Sequence, residues 1–314
     1  MILCCGEALI DMIPVPTVGG AEGFVPHAGG AIFNTAIALG RLGVPTGFMT
    51  GLSTDLFGAT LMNALEESAV DASFSIRSDL PTTLAFVKLT NGQAQYTFYD
   101  ENTAGRSLTP DDIPNLPQDI EALYFGGISL ISEPCAEFYA ALAERESKTQ
   151  TIVLDPNIRP GFIGDESVYR SRLNRMIAVC DILKVSDEDL DWIIPGPEAT
   201  EQKALSLRVG ATKVVIVTRG EAGATVWADQ NTSVSVAANR VRVVDTVGAG
   251  DTFNAGVLAY LQKNVLIRKE NLADITSDAL AAALSLGAAV AAVTVSRAGA
   301  NPPWQHELDD ASEA

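Results

Sequence analysis

The densest chemistry in the chain lies in Asp245-Thr246-Val247-Gly248-Ala249-Gly250-Asp251-Thr252-Phe253-Asn254. A Gly-rich turn that opens a helix presents unpaired backbone N–H groups, and the helix dipole favours an anion there. Small residues at 248–250 let a phosphate approach the backbone. Asp251 stands at the expected helix start. A carboxylate beside an anion hole suits a general base that takes a proton from an attacking hydroxyl. It equally suits an N-cap, and on these residues alone both roles stand. No GxxxxGK[ST] occurs, so the turn is not a P-loop, and CCGEAL lacks the GxGxxG of a dinucleotide site.

Other chemistries are poorly supplied. The chain has two histidines, His27 and His306, and the second sits in the acidic tail HELDDASEA. A His-rich metal centre or a Ser-His-Asp triad therefore lacks its parts. Cys4, Cys5, Cys135 and Cys180 show no CxxC spacing and read as buried small hydrophobes in a reducing cytoplasm. Acid–base work falls to carboxylates.

These residues need a scaffold, and the hydrophobic pattern gives one. Ile2 to Cys5 reads as a strand. AIFNTAIALGRLG reads as a helix ended by Gly43 and Pro45. A strand-like TGFMTGL and a helix through LMNALEESA follow. TTLAFVKLT and QAQYTFY flank Asn91-Gly92, a type I′ hairpin signal. With residues from Met12 on, they make a small discontinuous β subdomain, about 12–26 and 82–100. From Glu121 on, ALYFGGI, TIVLDP, DILKVS and KVVIVT are apolar runs suited to parallel strands, separated by helices such as PCAEFYAALAERE and YRSRLNRMIAV. RVRVV before the Gly-rich turn reads as another strand. The pattern predicts an α/β, doubly wound, mostly parallel sheet with ligands at the strands' carboxyl ends.

The 314 residues carry 21 Lys+Arg against 39 Asp+Glu, a formal charge of −18. That balance argues against nucleic acid and anionic membrane as partners. Ala279 to Val295 is uncharged but short and Ala-rich for a span, and reads as a buried helix. No signal peptide is evident.

GGAIFN continuing to ALGRLG, and DTVGAGDTFNAG, resemble the N- and C-terminal signatures of the PfkB/ribokinase carbohydrate kinases. GLSTDLFG, DPNIRP, KVSDEDL and VTRGEAG fall between them in that family's order, so the similarity runs from Gly6 to about Pro303. The resemblance implies one ribokinase-like domain over 1–314, with the small β subdomain as a lid. It also implies transfer of phosphate from ATP, with Mg²⁺, to a sugar hydroxyl. Asp251 would be the base, and Gly248, Ala249 and Gly250 would line the anion hole. Asp11, Gly30 and Asn34 match sugar-binding positions. Ser186, Thr218, Gly220 and Gly223 match nucleotide positions, with Lys184 nearby and an apolar adenine wall from about Ala288 to Ala292. Arg159 could face the sugar, a phosphate or a surface acid.

Departures accompany the resemblance. Where relatives show Asn-x-x-Glu for the metal region, Ser186-Asp187-Glu188-Asp189 stands here, so Asp189 would reach Mg²⁺ through water, with Asp187 and Glu188 as competing candidates. Asp245, the carbonyl of Val247 and carbonyls near Thr294, Arg297 and Gly299 match a monovalent-cation site, for which K⁺ is the candidate, but Pro303 has no hydroxyl to complete it. GEALIDMIP, FYDENTAG and FGGISLI resemble bacterial fructokinases. Kinases of 2-keto-3-deoxygluconate, whose carboxylate would need Arg106 or Arg159, and ribokinase are alternatives. A non-catalytic sugar or nucleotide sensor is the alternative of another class. The hairpin's apolar face would suit a homodimer through the lid.

Overall fold

The structure, a computed structural model, describes residues 1–90, 93–228 and 233–313. The expected Asn91-Gly92 turn lies outside them. In chain order the first half holds β1 (Ile2–Cys5), β2 (Leu9–Pro16), β3 (Glu22–Gly29), α1 (Ala31–Arg41), β4 (Thr46–Met49), β5 (Gly51–Ser53), α2 (Leu56–Glu67), β6 (Val70–Asp71), β7 (Ile76–Ser78), β8 (Leu84–Thr90) and β9 (Gln93–Tyr99). The second half holds β10 (Ala122–Gly126), α3 (Cys135–Glu146), β11 (Thr151–Asp155), α4 (Glu166–Val179), β12 (Ile182–Ser186), α5 (Asp187–Ile193), α6 (Thr200–Ser206), β13 (Val214–Thr218), β14 (Ala224–Trp227), β15 (Ser233–Val236), α7 (Ala249–Lys263), α8 (Ser277–Val295) and α9 (Gln305–Glu313).

A nine-stranded sheet runs β15-β14-β13-β12-β11-β10-β1-β4-β6. From β13 to β6 every pairing is parallel, while β14 and β15 attach antiparallel at one edge. Alternate residues feed two cores. Ile2 and Cys4 point into the one covered by α1, α2, α7 and α8, and Leu3 and Cys5 into the one covered by α3 to α6. A strand buried on both faces has no polar side to show, which is why these strands read as unbroken apolar runs.

A separate four-stranded sheet, β3-β2-β8-β9, lies at the carboxyl end of β1. Register aligns Asp11 with His27 and Ala85, and Ala85 with Phe98. The alternate set includes Phe24, Phe86 and Tyr99, which meet edge to face at 5.1 and 5.5 Å. One face of the small sheet is thus aromatic and partly exposed, and the other carries Asp11 and Phe98.

Two expectations change. TGFMTGL is two strands in different sheets, β4 and β5, parted at Thr50. RVRVV is not a strand. Val241, Val243 and Val244 are each more than two-fifths exposed, and the segment is held instead by Val244 N and Asp245 N donating to Val295 O. Period-two alternation signals a strand only where one face is covered.

Among the described residues, α8 alone is long and apolar enough to cross a membrane, with mean hydropathy 1.8. It packs on α7 and β15. The α7–α8 crossing is so close that a Cβ on Gly256 would stand 2.7 Å from Gly287 Cα.

Candidate active site

α7 begins at Ala249, with Gly248 as N-cap at φ 77°. That left-handed conformation favours glycine, and a Cβ there would also strike Ala300 at 2.7 Å. Asp251 is therefore the third helical residue and not the cap. Its carboxylate turns to α1, where Asn34 Nδ2 donates to its Oδ2 at 2.9 Å. Thr35 Oγ1 donates to its backbone carbonyl at 3.1 Å. Helix geometry leaves the first amides without intrahelical acceptors. Ala249 N turns back to Thr246 O at 3.3 Å. The amides of Gly248, Gly250 and Asp251 make no such bond.

Burial pushes the Asp251 carboxyl from its ordinary 3.8 up to about 7. The donation from Asn34 pulls it down, and the charge of Asp155 adds to the rise. An oriented carboxylate titrating near neutrality has the properties of a general base.

Asp11 and Gly30 approach from the small sheet and the start of α1. Asp11 is partly buried, and burial raises its carboxyl to about 6. Gly30 caps α1 at φ 112°, where a Cβ would lie 2.8 Å from Glu7 O. Glu7 follows β1 and was not singled out in the sequence. Its Oε1 accepts from Ala31 N at 3.0 Å and its Oε2 from Ser129 N at 3.2 Å, so it ties α1 to the turn after β10. Tyr96 was also missed. It stacks on Phe98 at 6.1 Å between centroids, and its hydroxyl lies within electrostatic reach of Asp11, Arg159, Asp245 and Asp251. No motif marks either residue; only the β1–α1 proximity and the face of β9 reveal them.

Behind Asp251 lies a buried polar network. Lys184 Nζ donates to Asp155 Oδ2 at 3.0 Å, and Asn254 Nδ2 donates to the same oxygen at 2.6 Å and to Tyr124 OH at 2.8 Å. Burial pulls the Lys184 ammonium down, but the charges of Asp155 and Asp189 outweigh it and hold its pKa above the ordinary value. A Cβ on Gly250 would sit 3.4 Å from that ammonium, so a fixed cation stands beside the start of α7. The whole cluster crowns the carboxyl ends of β1, β10, β11 and β12.

The family described as pfkB family carbohydrate kinase matches residues 1–307. The chain belongs to this family. Fructokinase of Rhizobium leguminosarum bv. trifolii is 54% identical over 280 residues, covering 89% of this chain and 85% of its own. Fructokinase-2 of Oryza sativa subsp. japonica is 33% identical over 312 residues, covering 96% and 90%. Among solved structures, fructokinase with bound ATP from Xylella fastidiosa superposes with a TM-score of 0.90 at 27% identity, covering 100% and 99%. Aminoimidazole riboside kinase from Salmonella enterica, complexed with aminoimidazole riboside and an ATP analog, gives 0.84 at 26%, covering 98% of each chain. The ribokinase-like fold and an ATP-dependent carbohydrate kinase activity follow for this chain.

In this pfkB kinase, the positions matched to the nucleotide line the next strand ends. Ser186 and Thr218 pair in register at the ends of β12 and β13. Gly220, at φ 49°, and Gly223, at φ 86°, shape the turn into β14. The α8 face bearing Ala288, Ala289 and Ala291 is partly open.

The metal positions fare differently. Asp189 Oδ1 accepts from Ile158 N at 2.8 Å and Oδ2 from Ser186 N at 3.0 Å, while Ser186 Oγ accepts from Asp189 N at 2.9 Å. The departure Ser186-x-x-Asp189 is thus a capping box. Among the described residues no group of three or more His, Cys, Asp or Glu side chains gathers for a metal. Asp155 Oδ1, however, is buried with no hydrogen-bond partner. Mg²⁺ usually takes one or two carboxylates along with substrate phosphates and waters, and that lone oxygen fits an ion arriving with nucleotide. Asp245 Oδ1 accepts from Val247 N at 3.0 Å and Oδ2 from Gly299 N at 2.9 Å, which brings the two loops of the expected cation site together. Arg159 makes no ion pair among the described residues; its Nη1 donates to the carbonyls of Asn157 and Ile158 at 3.3 and 3.1 Å.

Proposed function

We propose that this pfkB kinase transfers the γ-phosphoryl group of ATP to the primary hydroxyl of D-fructose, giving fructose 6-phosphate and ADP. The observation that carries the choice of sugar is the 54% identity to a bacterial fructokinase over 89% of the chain. Asp251 takes the proton of the acceptor hydroxyl, and its contact with Asn34 at 2.9 Å supports that role. The freed oxygen bonds to the γ-phosphorus while the bridging oxygen leaves with ADP and its electron pair. The Gly250 and Asp251 amides and Lys184 offset the charge on the transferred group; positioning and electrostatics supply most of such catalysis. Asp155 would hold Mg²⁺, which neutralises phosphate charge when bound. Asp11, Gly30, Asn34 and Arg159 grip the acceptor, and Ser186, Thr218, Gly220 and Gly223 border the nucleotide.

The small sheet serves as a lid whose Asp11–Phe98 face closes on the acceptor and excludes competing water. Its other face, with Phe24 and Tyr99 exposed, suits pairing with a second copy. K⁺ would draw on the Asp245 carboxylate and the Val247 carbonyl, and rates in K⁺ against Na⁺ buffers test it. The acceptor is tested by ADP release over fructose, 2-keto-3-deoxygluconate, ribose and adenosine. Fructose should lead by kcat/KM. Sugar binding without ADP release for any acceptor would favour a sensor.

A further inference from the structure

Beside the acceptor site the protein holds a cavity of about 390 Å³, walled in part by Phe98, Phe162, Asp100, Arg106, Tyr169 and Arg172. Phe98 and Phe162 meet edge to face at 4.6 Å in its wall. Phe98 also stacks on Tyr96, which faces Asp11 and Asp251, and Ile128 in the wall adjoins the turn that Glu7 holds. The cavity thus continues the acceptor site away from Asp251.

Its polar groups are specific. Tyr169 and Arg172 are 2% and 4% exposed; the Tyr169 hydroxyl has no hydrogen-bond partner, and Arg172 Nε lies 3.8 Å from Glu137 Oε2. The arginines offer no free charge. Arg106 Nη1 is paired with Asp100 Oδ1 at 3.0 Å and its Nε donates to Glu133 O at 2.8 Å. Arg172 is ion-paired with Glu133. Ser132 Oγ donates to the second Asp100 oxygen at 2.7 Å. With Asp165 also in the wall, three carboxylates face two guanidinium groups.

We propose that this cavity receives the end of the acceptor remote from the phosphorylated hydroxyl, and that the Asp100–Arg106 pair restricts it to uncharged polyols. Hydroxyls of such an acceptor meet the partly exposed Asp100–Arg106 pair. A carboxylate placed there finds both cations already neutralised and Asp100 in its way, a repulsive device for specificity. The inference rests on the sugar-kinase reading and refines which sugars it admits.

Steady-state kinetics with D-fructose and 2-keto-3-deoxygluconate test it, read as the ratio of kcat/KM for the acid to that for fructose. Asp100→Asn frees Arg106 and should raise the ratio at least tenfold, through the KM of the acid. Asp100→Glu keeps the charge and should return the ratio towards wild type. Arg106→Gln leaves Asp100 unpaired and should lower the ratio. A change under twofold in Asp100→Asn and Arg106→Gln overturns the inference, as does a rise in both, which would mean mere loosening. Wild-type enzyme that uses the acid as well as fructose overturns the fructose assignment and the inference together. Fructose preferred, with an unmoved ratio in the variants, overturns the inference alone.

Discussion

Asn34 Nδ2 and Asp251 Oδ2 are 2.9 Å apart though 217 residues separate them in sequence. The contact fastens the first turn of α7 to α1. It sets the carboxylate's orientation and leaves further lone pairs on it for a proton. It also ties an acceptor-side residue to the proposed base.

Asp251→Asn keeps the shape and removes the proposed base. General-base catalysis is worth about 10²–10⁴-fold, so kcat should fall by at least about 10²-fold while fructose and ATP still bind. Calorimetric titration beside turnover checks this, and near-wild-type kcat would remove Asp251 from that role.

The pH profile follows from the raised carboxyl. With Asp251 as the proposed base the ionised form is the active one, so kcat/KM should decline below about pH 7, approaching tenfold per unit. Asn34→Ala removes a donor that favours the ionised form and should move this limb to higher pH. A limb unmoved in Asn34→Ala would count against the coupling.

Stability carries the same group with a definite sign. The folded protein holds on to a proton that the unfolded chain loses near pH 3.8, up to about pH 7. The folded state binds more protons in that window, so stability declines as pH rises through it. Asp251→Asn escapes the penalty, and its gain in Tm should be larger at pH 8 than at pH 5. Equal gains would contradict the raised carboxyl.

Gly30→Ala tests the tight entry to α1. The new Cβ would lie 2.8 Å from Glu7 O at a φ of 112°, a conformation costing about 1–3 kcal/mol. A lowered Tm with a raised fructose KM is expected.

Lys184→Met strands Asp155 as a buried carboxylate without its cation. Breaking such a pair typically costs about 3–5 kcal/mol. Thermal melts should show the loss, and ATP turnover should fall with it. Unchanged stability would mean that Asp155 takes up a proton instead.

Much of this was legible in the chain itself. The buried parallel strands betray themselves because both faces are covered, and the Gly-rich turn because few other residues fit it. Asp251 was identifiable as a residue, but its place as third in the helix was not, since a cap and a first-turn residue share the same local sequence. Glu7 and Tyr96 stayed hidden because their partners lie far along the chain. The valines of RVRVV misled because alternation does not reveal whether anything covers one side. Ser186 and Asp189 carried an ordinary capping signature, which the family comparison obscured.

The small sheet has one further consequence. Only three residues, Gly6 to Ala8, separate β1 from β2, and β3 runs through Gly29 and Gly30 directly into the helix that bears Asn34. On that side Gly30 alone separates the sheet from the helix. Grafting it from another kinase to change sugar preference would therefore also displace the orientation of Asp251, so selectivity and turnover must be re-engineered as one unit.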